Sequence, residues 1–190
     1  MLAGTDFAQI GNELEKIDLF LSNEDRTITT EHVSEQVALT RAGVVFELGN
    51  NIARKNLSGA LRIIDHLLYQ GENAIRILLA AVVPTVRRLL IAKDLAKHHG
   101  IRGSGNYRSY EASLSRLPAS ETAHLPRKKD GGLSVYPIFL ASSESKNFSL
   151  DDLRQGLADC LQANRALVTS ALDHRIVLER LVIRLLAGSK

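Results

Sequence analysis

The sequence has few of the residues that usually build sheets, disulfides or aromatic cores. Its 190 residues include no Trp, and aromatic residues make up only 5% against 45% hydrophobic residues overall. This balance favours helices packed through aliphatic side chains over a β-sandwich or a β-barrel. The single cysteine, Cys160, has no second cysteine with which to form an internal disulfide, which fits a reducing compartment.

Long apolar segments are also missing. The longest strongly apolar run spans residues 77–83, far short of the roughly 18–20 residues that cross a bilayer. The N-terminus lacks the charged region followed by an apolar run that marks a signal peptide. We therefore expect a soluble, cytoplasmic protein without membrane association.

The sequence offers no self-contained catalytic, cofactor-binding or metal site. The Gly-rich stretch at residues 100–105 lacks the Lys of a phosphate-binding loop and follows a helix instead of a strand. Asp94 and His98 have the spacing of two metal ligands on one helical face, but a histidine at a helix C-terminus is better explained by the helix dipole. Cys160 lies on an apolar helical face, which indicates a buried and unreactive thiol. We therefore predict a scaffold or partner-binding role, with no cofactor.

The positive charge is concentrated in one segment. The chain carries a net charge of +3, and residues 100–132 hold six Lys or Arg against three acids, which accounts for the whole excess. The same residues hold five of the 13 glycines, a composition typical of a long, partly irregular insertion. Two interpretations stay open, a solvated loop and a phosphate-contacting arm with Tyr107 and Tyr110 available to stack on bases. The candidate DNA contacts are Arg102, Arg108, Arg127, Lys128 and Lys129.

Apolar residues recur at steps of three and four along most of the chain, which indicates helices. A first helix is predicted to begin near Thr5, and a second, capped by Thr29, to extend through residue 37. The predicted buried face of the first helix consists of Phe7, Ile10, Leu14, Ile17 and Leu21.

The remaining helices are predicted over residues 44–54, 58–69, 72–98, 136–141, 149–169 and 173–187. Pro84 lies inside the longest of these and predicts a kink, because it lacks a backbone donor and crowds the carbonyl four residues earlier. Ser149 and Asp152 have the spacing of a capping box at the start of the helix that follows them. The sequence contains no convincing strand pattern, so the predicted fold class is all-α.

Four stretches together resemble one protein family. They are FAQIGNELEKIDLFL at residues 7–21, ITTEHV at 28–33, VFELGNNIARKNLSGALRIIDHLLYQGENAIRILLAAV at 45–82, and LDHRIVLERLVIRLL at 172–186. Their order and spacing are similar to those of the delta subunit of the bacterial DNA polymerase III clamp loader. Residues 100–132 have no counterpart in this resemblance.

The resemblance implies the C-terminal portion of that subunit, a component of the DNA polymerase III holoenzyme in DNA replication. Residues 1–42 would be the helical end of a small lid-like domain, and residues 43–190 a helical collar domain with a basic insertion near 100–132. In the family, the collar joins the ATPase subunits and the delta-prime type of subunit, so that the sliding clamp can be loaded on primed DNA. The chain matches nothing of the N-terminal ATPase-like domain that opens the clamp, so the sliding clamp is not an expected partner of this portion.

Two elements, residues 77–83 and the last helix, carry apolar residues on more than one face and form the predicted subunit interface. Core packing is the alternative interpretation of each. The candidate interface residues are Ile77, Leu78, Val82, Leu178, Leu181, Val182 and Leu185. An alternative function of a different class is a helical DNA-binding module that acts through the basic residues between 102 and 129.

Overall fold

A computed structural model of the protein describes residues 7–21, 27–30, 32–33, 41–103 and 105–187. Within these ranges the regular structure is helical, and the one β-type contact is an isolated antiparallel bridge between Arg127 and Leu133. The predicted all-α fold class is confirmed. The chain divides into two compact units, residues 1–47 and 48–190, while the assignment of residues 1–42 to a lid-like domain and 43–190 to a collar domain stays a prediction.

The first unit contains helix α1, Phe7–Phe20, as the apolar spacing predicts. Of the predicted buried face, Ile17 is fully buried, whereas Phe7 is 89% exposed and Leu14 is also exposed. The spacing therefore predicts the helix correctly but overstates how much of its apolar face is covered.

A second helical turn of the first unit begins after Thr29. The Oγ1 of Thr29 accepts a hydrogen bond from the backbone N–H of His32 at 3.3 Å, which is the contact that an N-cap makes. The predicted cap is therefore confirmed. The predicted continuation through residue 37 lies outside the described residues.

The other helices follow in chain order from residue 41. They are α2 (Arg41–Ala53), α3 (Leu57–Tyr69), α4 (Ala74–Ile77), a π-helical turn (Leu78–Val82), α5 (Val83–His98), α6 (Tyr107–Ser115), α7 (Ala119–Thr122), α8 (Tyr136–Glu144), a 3-10 turn (Ser145–Asn147), α9 (Leu150–Thr169) and α10 (His174–Ala187). The bounds of α8, α9 and α10 lie close to the predicted ones, and the short helices α6 and α7 lie within the segment predicted to be a partly irregular insertion. Among the described helices, none is long and apolar enough to cross a membrane.

Short turns with side-chain caps separate α2, α3 and α4. Asn56 caps α3 by accepting a hydrogen bond from the N–H of Gly59 at 3.1 Å, and Asn73 caps α4 by accepting one from the N–H of Ile75 at 2.9 Å. These side chains satisfy N–H groups that lack a partner in the first turn of a helix. Gly71, at the end of α3, has a φ of +77°, a left-handed conformation that glycine adopts without steric cost.

A π-helical turn, Leu78–Val82, comes just before Pro84, where a kink was predicted, and the kink itself stays a prediction. The N–H of Val83 bonds to the carbonyl of Leu78, five residues earlier. In a regular α-helix a proline crowds the carbonyl four residues back, and the π-helical turn widens the helix just before that proline. Pro84 then occupies the first turn of α5, where its missing N–H is not needed.

The core of the second unit forms between α5, α9 and α10. Helix α5 packs against α8 and α9, and α10 packs against α9 and α3; Ile64, Leu89 and Leu153 are among its fully buried side chains. Helix α9 begins with the predicted capping box. The Oγ of Ser149 accepts from the N–H of Asp152 at 3.0 Å, and the N–H of Ser149 donates to the carboxylate of Asp152 at 3.3 Å.

Candidate functional site

The seven apolar side chains predicted to form a subunit interface lie in the core of the chain itself. Each is at most 7% exposed: Ile77, Leu78, Val82, Leu178, Leu181, Val182 and Leu185. Their helices are covered on several sides, because α10 packs against both α9 and α3, and the π-helical turn also contacts α9. Such a helix needs apolar residues on more than one face. Core packing, the alternative interpretation, therefore accounts for the burial of these seven residues in the chain alone.

An open groove with apolar side chains runs between α9 and α10. Leu172, Ile176 and Ile183 border it and are 50%, 47% and 43% exposed. The groove consists of two adjacent depressions that share Asp159 and Arg184 in their walls. We call this surface, with Leu172, Ile176 and Ile183 at its rim, the α9–α10 groove.

Charged groups flank the apolar rim of the α9–α10 groove. Arg180 and Arg184 of α10 are exposed along it, and Asp159 of α9 accepts a hydrogen bond from the side-chain amide of Gln155 at 3.1 Å. An apolar side chain with a neighbouring carboxylate would suit such a surface, because the two guanidinium groups offer donors beside an apolar floor. The sequence did not reveal the groove, because apolar spacing alone does not separate rim residues such as Ile176 from core residues.

The start of α10 is fixed by two charged contacts. The guanidinium of Arg175 lies 2.8 Å from the carboxylate of Glu179 and 2.9 Å from that of Asp65 in α3. The hydrogen bond to Glu179, together with the charge of Asp65, raises the pKa of Arg175. The first turn of α10, which carries the rim residue Ile176, is thereby tied to α3.

The described part of the basic segment, residues 100–103 and 105–132, is partly irregular, as predicted, but it is packed against the rest of the fold and is not simply a solvated loop. It contains α6 and α7 and packs with α5 and α8 around a cluster of buried side chains. The cluster consists of Ile91, Ala92, Leu95, Ile101, Tyr110, Leu114, Leu125, Val135 and Ile138. Its members lie far apart in the chain among Gly and charged residues, so composition concealed the packing.

The two tyrosines of the basic segment are engaged inside the fold. Tyr110 is only 3% exposed, and burial raises the pKa of its hydroxyl to about 12. Tyr107 is half-buried, its hydroxyl donates to the carboxylate of Glu111 at 2.9 Å, and its ring packs edge-on against Tyr136 and Phe139. The hydrogen bond to Glu111, more than desolvation, raises the pKa of Tyr107. The expectation that both rings are available to stack on bases is therefore corrected.

The five candidate DNA contacts all lie on the surface. They are Arg102, Arg108, Arg127, Lys128 and Lys129. Three of them are consecutive and lie beside the isolated bridge between Arg127 and Leu133. The other two stand before α6 and in its first turn.

Asp94, His98 and Cys160 were considered above for metal binding or nucleophilic chemistry, and their contacts in the structure point to neither. The Nδ1 of His98 lies 3.0 Å from the carboxylate of Asp94, and the described part of the chain contains no group of three or more metal-ligating side chains. Cys160 is buried, as predicted, and burial, with a smaller contribution from the charge of Asp159, raises its pKa to about 12. A thiol with this pKa stays protonated near neutral pH and is a poor nucleophile.

Comparison with known proteins gives one structural relationship. No protein-family model matches the chain, and no curated protein matches its sequence. A solved structure, the DNA clamp loader delta protein of Bacillus subtilis, matches it with a TM-score of 0.62 and 22% identity. The match covers 98% of this chain and 48% of that chain, so this chain spans about half the length of the solved protein. The resemblance expected from the sequence is confirmed at the level of the fold: the chain has the fold of the matched part of this clamp loader delta protein.

Proposed function

We propose that the chain is the C-terminal part of a clamp-loader delta subunit and acts in DNA replication as a non-catalytic assembly module. The observation that carries the proposal is the shared fold, which extends over 98% of this chain. The four stretches of sequence that resemble the delta subunit support it independently. In this role the module joins other loader subunits, and the complete loader places the sliding clamp on primed DNA.

The α9–α10 groove is the proposed contact for a neighbouring subunit. The seven residues first considered for this role are occupied in the core, whereas Leu172, Ile176 and Ile183 present apolar surface outside it. Subunit interfaces typically have apolar side chains at the centre of the contact and charged groups around its edge. In this contact Leu172, Ile176 and Ile183 would be the apolar centre, with Arg180 and Arg184 beside it. The proposed partner surface therefore carries an apolar side chain for the groove and carboxylates for Arg180 and Arg184.

The proposed partners are the ATPase subunits and the delta-prime type of subunit of a clamp loader. The sliding clamp is not proposed to bind this portion directly. Binding through the groove needs no catalytic group from the chain.

Replacement of the groove rim tests the proposal. We expect the double variant Ile176→Asp and Ile183→Asp to weaken association with the ATPase subunits strongly in analytical ultracentrifugation, because it places two carboxylates on the apolar rim beside the incoming surface. The matched control is the double variant Leu161→Asp and Val168→Asp, since both residues are exposed on α9 and neither lines the groove. Equal loss in the control and in the groove variant would reject the groove as the contact.

A further inference from the structure

A short hairpin in the basic segment presents three consecutive cations at its tip. Residues 126–134 form this structure, which we call the basic hairpin, and Arg127, Lys128 and Lys129 are exposed on it. The four stretches of sequence that resemble the delta subunit leave this part of the chain out, although the structural match, which covers 98% of the chain, includes it.

Backbone hydrogen bonds hold the basic hairpin in one conformation. The N–H of Lys128 donates to the carbonyl of Gly132 at 2.7 Å, the N–H of Gly131 to that of Lys128 at 3.0 Å, and the N–H of Ser134 to that of Pro126 at 2.8 Å. Gly131 has a φ of +85° at the turn, a conformation that favours glycine. The backbone of the tip is thus organised before any ligand binds.

The base of the basic hairpin is anchored in the apolar cluster of the basic segment. Leu125 and Val135, on either side of it, are 4% and 3% exposed, and Leu133 packs against the same cluster. A preorganised surface loses less conformational entropy on binding than a flexible loop does. The three cations therefore stand on a fixed platform instead of a mobile arm.

The cations at the tip have no carboxylate partner in the described part of the chain. The one acid of the tip, Asp130, accepts a hydrogen bond from the N–H of Gly132 at 2.9 Å. Arg127 donates with Nη1 to the carbonyl of Gly131 at 3.0 Å, which leaves its other guanidinium donors available. Lys128 and Lys129 make no ion pair among the described residues. The tip consequently carries local positive charge directed at solvent.

We propose that the tip of the basic hairpin binds the phosphate backbone of nucleic acid. Arg127 offers the planar donors that phosphate oxygens accept, and Lys128 and Lys129 add two point charges beside it. Because Tyr110 is buried and Tyr107 packs against other rings, neither tyrosine of the segment is free to stack on bases, and the proposed contact is made to phosphate groups. An anionic membrane is a poorer fit, because the tip residues 127–132 include no apolar side chain that could insert between lipids.

Binding through phosphate contacts has a measurable salt dependence. Each neutralised phosphate contributes roughly −0.7 for single strands and −0.9 for duplex DNA to the slope of log K against log salt. Loss of Lys128 and Lys129 should therefore make the slope shallower by roughly 1.4 to 1.8 and weaken binding at every sequence alike.

The experiment measures fluorescence anisotropy of labelled single-stranded and duplex oligonucleotides with the whole chain between about 50 and 200 mM salt. Lys128→Gln with Lys129→Gln is compared with Lys97→Gln with Lys146→Gln, which removes the same charge from exposed lysines outside the basic segment. We expect the shallower slope in the hairpin variant alone, with an unchanged melting temperature in both. Asp130→Asn keeps the oxygen that accepts from Gly132 and removes the negative charge, so it should lower the Kd for both DNAs at low salt.

Three results would overturn the inference. The first is the absence of salt-dependent DNA binding by the unaltered chain. The second is an equal loss of DNA affinity in the control lysine variant, which would show that binding depends on the net charge of the chain and not on the basic hairpin. The third is tighter binding to phosphatidylserine vesicles than to DNA, with the same dependence on Lys128 and Lys129. These outcomes are independent of subunit assembly, which the basic hairpin variants should leave intact.

Discussion

Arg175 at the start of α10 and Asp65 in α3 form an ion pair of 2.9 Å across 110 positions of sequence. The pair joins the start of α10, the helix that forms one wall of the α9–α10 groove, to α3, which packs against α10. The sequence did not indicate that the two residues pair, because a surface ion pair between distant segments leaves no periodic pattern.

Replacement of Arg175 tests this contact. We expect Arg175→Gln to lower the free energy of unfolding slightly, and by less at high salt, because both partners are partly exposed and screened. Urea denaturation at two salt concentrations measures the difference. Arg154→Gln is the control, since Arg154 pairs with Asp151 inside a single helix and should contribute less. If Arg175→Gln lowers the free energy of unfolding equally at both salt concentrations, the result would contradict an electrostatic role.

Substitution of Leu178 distinguishes the two interpretations of α10, core packing and a subunit interface. Leu178 is fully buried, so Leu178→Ala should lower the free energy of unfolding of the chain alone by about 2–5 kcal/mol. Ile183→Ala, at an exposed position of the same helix, should change it by no more than about 0.5 kcal/mol. Denaturant unfolding of both variants provides the measurement. A stable Leu178→Ala variant that fails only in assembly would restore the interface interpretation.

Substitution of Gly103 tests how closely the basic segment packs against α8. A Cβ at this position would collide with the Oγ of Ser142 and lie 2.8 Å from its Cβ, so Gly103→Ala should loosen the segment from α8. We expect faster amide hydrogen exchange in α6 and unchanged exchange in α9. Gly105→Ala is the control, because its Cβ would lie 4.0 Å from that of Ser109. Addition of Ser142→Gly should restore part of the protection; unchanged exchange in Gly103→Ala would contradict the packing.

Tyr110 should make stability depend on alkaline pH. Burial raises the pKa of Tyr110 from 10.0 to about 12. The protonated hydroxyl therefore contributes its full share to the free energy of unfolding below pH 10, and this share is lost as the pH rises toward 12. Tyr110→Phe has no hydroxyl to ionise, so the free energy of unfolding of this variant should fall less between pH 10 and pH 12. At neutral pH it should leave the free energy of unfolding unchanged or raise it by about 1–3 kcal/mol, because the buried hydroxyl has no hydrogen-bond partner among the residues that the structure describes.

Denaturant unfolding at several pH values compares Tyr110→Phe with Tyr69→Phe, whose ring is 93% exposed. The control should follow the unaltered chain. A large destabilisation by Tyr110→Phe at neutral pH would show that the hydroxyl has a structural partner and would contradict this account.

Local features of the fold could be predicted from the sequence. The capping box of Ser149 and Asp152 and the cap at Thr29 each depend on residues a few positions apart, so the sequence contains the whole cause. The π-helical turn before Pro84 could not be predicted, because a kink and a π-helical turn both relieve the same crowding.

Features that depend on distant residues could not be predicted. The cluster around Tyr110 joins Leu95 of α5 to Leu125 and Ile138, which belong to separate parts of the chain, and charge and glycine content suggested an open loop there. Similarly, apolar residues on two faces of α10 fit a buried helix and an interface helix equally well. The structure decides for the core at Leu178, and it places the exposed apolar surface at Ile176 and Ile183.

The central claim is that this chain assembles with clamp-loader subunits, and its most direct test is the mass of the mixture. Light scattering of the whole chain with clamp-loader ATPase subunits at micromolar concentration should show a complex heavier than either component, and the Ile176→Asp and Ile183→Asp variant should reduce it. The separate masses of the unmixed components at that concentration would contradict the claim.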